Sequence, residues 1–298
     1  MSTATGRFTP RLWLYFATVT LIWGSTWLVI KYQLGEVPPS WSVTWRFLVA
    51  GALLFGFCLA TGRQLRLTAR QHGFAALVGL AQFMLNFNFV YRAEEHVASG
   101  LVALTFALLI IPNSLFSWAL FGQRVSARFM LGSAMGILGV VMMVWTDLAK
   151  PGGEVALGLG LAVAGVLAAS VANVMQASPQ GRAMPLEGGL AWSMLYGTAM
   201  NAVVALLLSG PPVVLWDLGY LAGVVYLAAA ASAVAFILYF TVLREVGAGK
   251  AAYSGVLVPL VALALSTLFE GFVWSWLAVA GAALTLGGLI VALRARSG

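Results

Sequence analysis

Charge is what this sequence has least of. Of its 298 residues, 8% are Asp, Glu, Lys or Arg, against roughly 25% in an ordinary soluble domain. With 16 basic and 9 acidic residues, a soluble surface of this size cannot be covered, so the outer surface must face lipid. A single cysteine, Cys58, excludes an intrachain disulfide, and it reads most simply as a small apolar helix residue. His72 and His96 are the only histidines and stand far apart with no acidic cluster beside them, which argues against a metal enzyme. Both read as span-end residues, and no metal or other cofactor is expected. A phosphate loop is missing too: Gly247-Ala248-Gly249-Lys250 has Arg244 where the motif needs its first glycine and Ala251 where it needs Ser or Thr. ATP hydrolysis is therefore excluded.

What the chain has instead is apolar length: 61% of its residues are hydrophobic, with 17 Phe and 11 Trp. A helix needs about 20 mostly apolar residues to cross a bilayer core of roughly 30 Å. Ten such runs are predicted, near 10–33, 41–61, 71–92, 97–121, 128–147, 156–177, 186–209, 217–243, 249–269 and 273–294. Strands of a lipid-facing barrel would alternate over about 10 residues, whereas these runs are apolar on every side for twice that length. The first is too long for a secretory signal, and Lys31-Tyr32-Gln33 does not resemble a cleavage site. The expected fold is an all-α integral membrane protein of ten transmembrane helices.

Orientation follows from lysine and arginine placement. With the N-terminus inside, the cytoplasmic segments hold Arg7, Arg11, Arg63, Arg66, Arg70, Arg124, Arg128, Arg182, Arg244, Lys250, Arg294 and Arg296. The outer segments hold Lys31, Arg92 and Lys150, with Arg46 inside the second span. Twelve against three places both termini in the cytoplasm. The +7 net charge is thus a topological signal on one face, and no aromatic-basic groove marks a nucleic-acid partner.

The halves repeat. Pro38 and Trp45 recur at the spacing of Pro185 and Trp192, and Pro112 precedes Gln123 as Pro259 precedes Glu270. Gly132 to Gly139 matches Gly281 to Gly288. Residues 1–150 and 151–298 thus read as two five-helix units. Five is odd, so the second copy enters from the opposite side, giving the inverted repeat of secondary transporters, whose site lies near the midplane between the copies. Pro112 and Pro259 lie inside the fourth and ninth spans, where a kink is favoured, and form a candidate pair of hinges. GxxxG pairs at Gly132/Gly136 and Gly219/Gly223, with the small-residue tract Ala228 to Ala233, favour close helix approach.

These features, with Trp23-Gly24-Ser25-Thr26-Trp27, Pro38-Pro39 followed by Trp45-Arg46, and the spacing of Pro259 and Glu270, resemble the EamA type of the drug/metabolite transporter superfamily over nearly the whole chain. The resemblance implies an inner-membrane exporter of amino acids or other metabolites, aromatic amino acids included. Gln123 departs from the family, which often has Glu at that position.

Polar side chains near mid-bilayer are costly and mark candidate sites. Placing residues at 1.5 Å each from the span centres brings Gln82, Asn86, Thr105, Ser170 and Asn201 closest to the midplane, with Asn113 and Asn173 slightly farther out. Gln82 and Asn86 share a helix face, as do Ser170 and Asn173. Trp23 and Trp27 are one turn apart, and Trp23 is unusually deep for a residue that favours the interface. The candidate substrate-binding set is Trp23, Trp27, Gln82, Asn86, Thr105, Ser170, Asn173 and Tyr253. Aligning the third and eighth spans puts Ala231 and Ala235 opposite Gln82 and Asn86, so polar recognition is expected from the first half. Arg46 is expected to snorkel or to pair with an outer acid, and Glu94, Glu95 and Glu270 to be solvated at outer span ends.

The expected function is ATP-independent export of small metabolites by alternating access, most simply of amino acids with aromatic or apolar side chains, by a monomer in the lipid bilayer. A broad multidrug exporter is the alternative within the class. A lipid-modifying membrane enzyme or scaffold is the alternative outside it, and it lacks a His, Asp or Ser constellation. With no acid inside a span, proton antiport and downhill export both remain open.

Overall fold

A computed structural model describes residues 9–122, 126–148, 153–246 and 254–296. Tyr253 and Gln123 lie outside the described residues. Every regular element among them is helical. We number the long helices α1 (Pro10–Gln33), α2 (Pro39–Thr61), α3 (Ala69–His96), α4 (Ser99–Phe121), α5 (Ala127–Leu148), α6 (Glu154–Ala177), α7 (Leu186–Ser209), α8 (218–246), α9 (Ser254–Phe269) and α10 (Trp276–Arg296). Nine of them are long and apolar enough to cross a membrane; α9 is equally apolar but has 16 described residues.

Local signals set the helix ends. Thr9 caps α1, accepting from the Leu12 amide at 3.3 Å, with Pro10 in the first turn. Thr68 and Gln71 form a reciprocal capping box at the start of α3. Gly62 and Gly122 end α2 and α4 at φ of 66° and 67°, the left-handed conformation that glycine adopts without penalty.

The helices pack in a pattern that survives exchange of the two halves. α1 packs on α9 as α6 packs on α4; α1 packs on α8 as α6 packs on α3; α2 packs on α8 as α7 packs on α3. The pairs α2/α7, α4/α9 and α5/α10 complete it. At the α5/α10 seam the matched glycine stretches face each other: a Cβ on Gly132 would lie 2.5 Å from the Gly288 carbonyl oxygen, and one on Gly139 2.4 Å from that of Gly281. These glycines let the backbones touch, which in lipid substitutes for a hydrophobic driving force.

The halves also agree where the helices are irregular. α3 widens into π-helical turns over Gly79–Asn86, and α8 does so over Tyr226–Val234. The starts are offset as Pro38 is from Pro185. Matched on these turns, Gln82 and Asn86 fall opposite Ala229 and Ala233, two residues from the positions the sequence alignment gave. The two prolines differ. In α4 the helix breaks at Leu108 and Leu109, four and three residues before Pro112, with Leu108 and Leu109 bonding back only three residues. That is where a proline ring displaces the carbonyl four residues earlier. Pro259 lies early in α9 without interrupting the described helix.

Candidate functional site

The candidate residues separate into those held by the fold and those left with polar atoms to spare. Trp23 belongs to the first group: its indole N–H donates to the Ala231 carbonyl at 3.1 Å, and its ring meets Phe236 and Tyr239 at 5.5 and 5.0 Å. The acceptor lies in the π turns of α8, where the helical ladder loosens and carbonyls become free for other donors. Thr105 donates to Leu101 of its own helix at 2.9 Å, a common solution for a buried hydroxyl. Asn201 joins Asn88, Ser40 and Thr44 in a knot between α2, α3 and α7, donating to the Ser40 carbonyl at 2.7 Å and to Thr44 Oγ1 at 2.8 Å.

The second group lies where α1, α3, α4 and α6 converge. Trp27 packs on Phe106 of α4, ring centroids 5.1 Å apart, and its N–H is buried with no acceptor. The Asn86 Oδ1 and Ser170 Oγ are likewise buried and unpartnered. Gln82, half-buried one turn before Asn86, bonds to no described residue. Gly165 of α6 joins them: a Cβ there would lie 3.1 Å from the Phe106 ring and 3.5 Å from Asn86 Oδ1. Each orphaned buried group costs about 1–3 kcal/mol, so the three on α1, α3 and α6 mark these helices as prepared for a polar partner. Asn173 is exposed at the end of α6 and does not join this cluster. Sequence reasoning missed Phe106 and Gly165, because nothing local distinguishes them from packing residues.

Charge is distributed differently from the sequence expectation. Arg46 is 3% exposed and neither snorkels nor forms an ion pair; its guanidinium sits 4.4 Å from the Phe87 ring centre and its Nε donates to Ser232 at 3.4 Å. Glu94 is 0% exposed, and neither carboxylate oxygen has a partner. Lys31 donates to the Glu94 and Val97 carbonyls, tying the end of α1 to the end of α3. Glu270 is half-buried and clasps Ser99 at the start of α4, accepting from its amide at 2.9 Å and from its hydroxyl. Only Glu95 of the three glutamates is exposed. The helix-end positions were read correctly, but the neighbours that bury two of them come from distant parts of the chain.

A cleft of about 780 Å³ opens at the same end, between the end of α1 and the start of α8, lined by Tyr32, Gln33, Val37, Tyr220, Gly223 and Tyr226 among others. The Tyr226 hydroxyl reaches Ser25 of α1 at 2.7 Å.

The sequence pattern of the EamA-like transporter family matches this chain twice, over residues 11–145 and 156–294. An uncharacterized inner membrane transporter of Escherichia coli K12, YedA, is 30% identical, with 92% of this chain and 89% of that protein covered. A protein of Salmonella typhimurium LT2 described as a probable amino-acid metabolite efflux pump is 25% identical over 92% of this chain and 91% of its own. A crystal structure shares the fold at a TM-score of 0.68 and 24% identity, covering 94% of this chain and 96% of the other. The chain therefore belongs to the EamA-like transporter family, and it is a multi-pass inner-membrane transporter rather than an enzyme.

Proposed function

We propose that this transporter exports small metabolites without ATP, with amino acids carrying aromatic or apolar side chains as its substrates. The carrying observation is the set of buried, unpartnered polar atoms on Trp27, Asn86 and Ser170 of α1, α3 and α6, with Trp27 packed on Phe106 and Gly165 bringing α6 against Phe106 and Asn86. An amino or carboxylate group can satisfy those atoms, while the Trp27 and Phe106 faces accept an apolar or aromatic side chain. The metabolite-efflux description of the Salmonella relative supports the same substrate class.

In this reading residues 1–150 and 151–298 are inverted halves, ten helices cross the bilayer, both termini are cytoplasmic, and one chain suffices. The exchange-invariant packing and the matched π turns of α3 and α8 support the inversion. Rocking of one half on the other exposes the site to each side in turn, and the break before Pro112 gives α4 a place to bend. The test is uptake of a panel of labelled amino acids by proteoliposomes containing no nucleotide. Saturable flux of aromatic or branched members is expected. Flux of none of them, with cationic drugs carried instead, would replace this reading with multidrug export.

A further inference from the structure

The buried charge cluster is not used by the site around Gly165, and it contains the ionisable group that the sequence did not reveal. We infer that Glu94 is a proton-binding site that couples transport to the proton gradient, an inference that rests on the transport reading above.

Three observations carry it. First, Glu94 is fully buried at the end of α3 with both oxygens unpartnered. A structural carboxylate at such a depth is ordinarily held by donors, because an unsolvated, unbonded anion is the most costly state of the group. Second, the surrounding charges are nearly balanced. Lys31 of α1 and Arg46 of α2 act on it as cations and Glu270, at the end of α9, as an anion. From its own helix Tyr91 faces the cluster. α4 contributes Ser99, already held by Glu270, and α6 contributes a charge only at its exposed start, Glu154. Two cations and one anion leave +1, so one proton on or off Glu94 moves the cluster between +1 and zero. Third, polar groups lead from the cleft toward the turn of α3 that holds Glu94. Gln33 lines the 780 Å³ cleft, the Tyr91 hydroxyl donates to its Oε1 at 2.9 Å, and Tyr91 stands one turn before Glu94 on α3.

The step involves a single proton. It adds to a Glu94 oxygen when the halves rearrange to expose the carboxylate to water on one side and leaves the same oxygen to water on the other; no other covalent bond forms or breaks. Because Lys31 and Glu270 fasten the ends of α1, α3, α4 and α9 beside Glu94, any opening there changes the surroundings of the carboxylate, which is what coupling requires.

Two measurements test this. Infrared difference spectra of the purified protein, recorded across pH without any substrate, should show a protonated-carboxyl band that titrates, disappears in Glu94→Gln and persists in Glu94→Asp. A titrating band that survives Glu94→Gln, or no titrating band in the wild type, overturns the proposal; if Glu94→Gln does not fold, the wild-type and Glu94→Asp spectra still decide it. In proteoliposomes with the membrane potential clamped, a tenfold proton gradient should drive up to about a tenfold gradient of labelled phenylalanine for one-to-one exchange. Glu94→Gln flux should be equal with and without the gradient, and Glu95→Gln should behave as wild type. Wild-type flux that ignores the gradient contradicts coupling. Absence of wild-type flux for every amino acid instead overturns the transport reading, while the spectra separately decide proton binding.

Discussion

At the scale of single residues, the structure divides tryptophans and polar groups that look alike in the sequence. Trp23 and Trp27 sit one turn apart, yet one indole N–H is bonded to Ala231 and the other is free. Trp27→Phe keeps a ring on Phe106 and removes the N–H. It should weaken substrate binding by about 1–3 kcal/mol, read as a KM rise of roughly 5- to 150-fold with expression unchanged. Thr105→Val removes a hydroxyl that serves only Leu101 and should change KM less than about twofold in the same assay. Depth and periodicity made Trp27, Gln82, Asn86 and Ser170 legible as candidates. They did not make Gly165 or Phe106 legible, since a glycine that touches a site and one that touches plain core have the same sequence signature. Glu94 was placed correctly at a helix end. Its burial was hidden because the helices that cover it are brought there by long-range packing.

At the scale of elements, two devices lend themselves to test. The α5/α10 seam depends on glycines whose Cβ would strike backbone, so Gly139→Ala should lower the melting temperature in detergent, with a cost of about 1–3 kcal/mol for overpacking. Gly287→Ala, with no atom near its added carbon, should leave the melting temperature unchanged. Pro112→Ala restores an amide hydrogen opposite the break at Leu108 and should straighten α4. Turnover is expected to fall several-fold with stability equal or higher, and an unchanged turnover would remove Pro112 as a hinge. The glycine stretches were visible as a repeat in the sequence, and their facing each other follows once the repeat is inverted. The π turns carried no such signal, because Gly79 to Asn86 and Tyr226 to Val234 share a position but almost no residues.

At the scale of the whole molecule, the sparse charge read from the sequence predicts an orientation but did not reveal that Arg46 and Glu94 are buried. Lys and Arg counts give an orientation that one cysteine makes testable. Cys58 is buried, so a Cys58→Ser background is cysteine-free. In intact cells, Glu36→Cys in that background should react with an impermeant maleimide and Arg66→Cys should not; the reverse pattern would invert the topology. The central claim is that substrate passes between Trp27, Phe106 and Asn86, where Gly165 brings α6 into contact. The most direct measurement compares nucleotide-free uptake of labelled phenylalanine by proteoliposomes of the wild type and of Gly165→Leu. The account predicts saturable wild-type uptake and a loss of at least tenfold in Gly165→Leu protein that is inserted and melts normally. Equal uptake by the two would place the substrate path elsewhere.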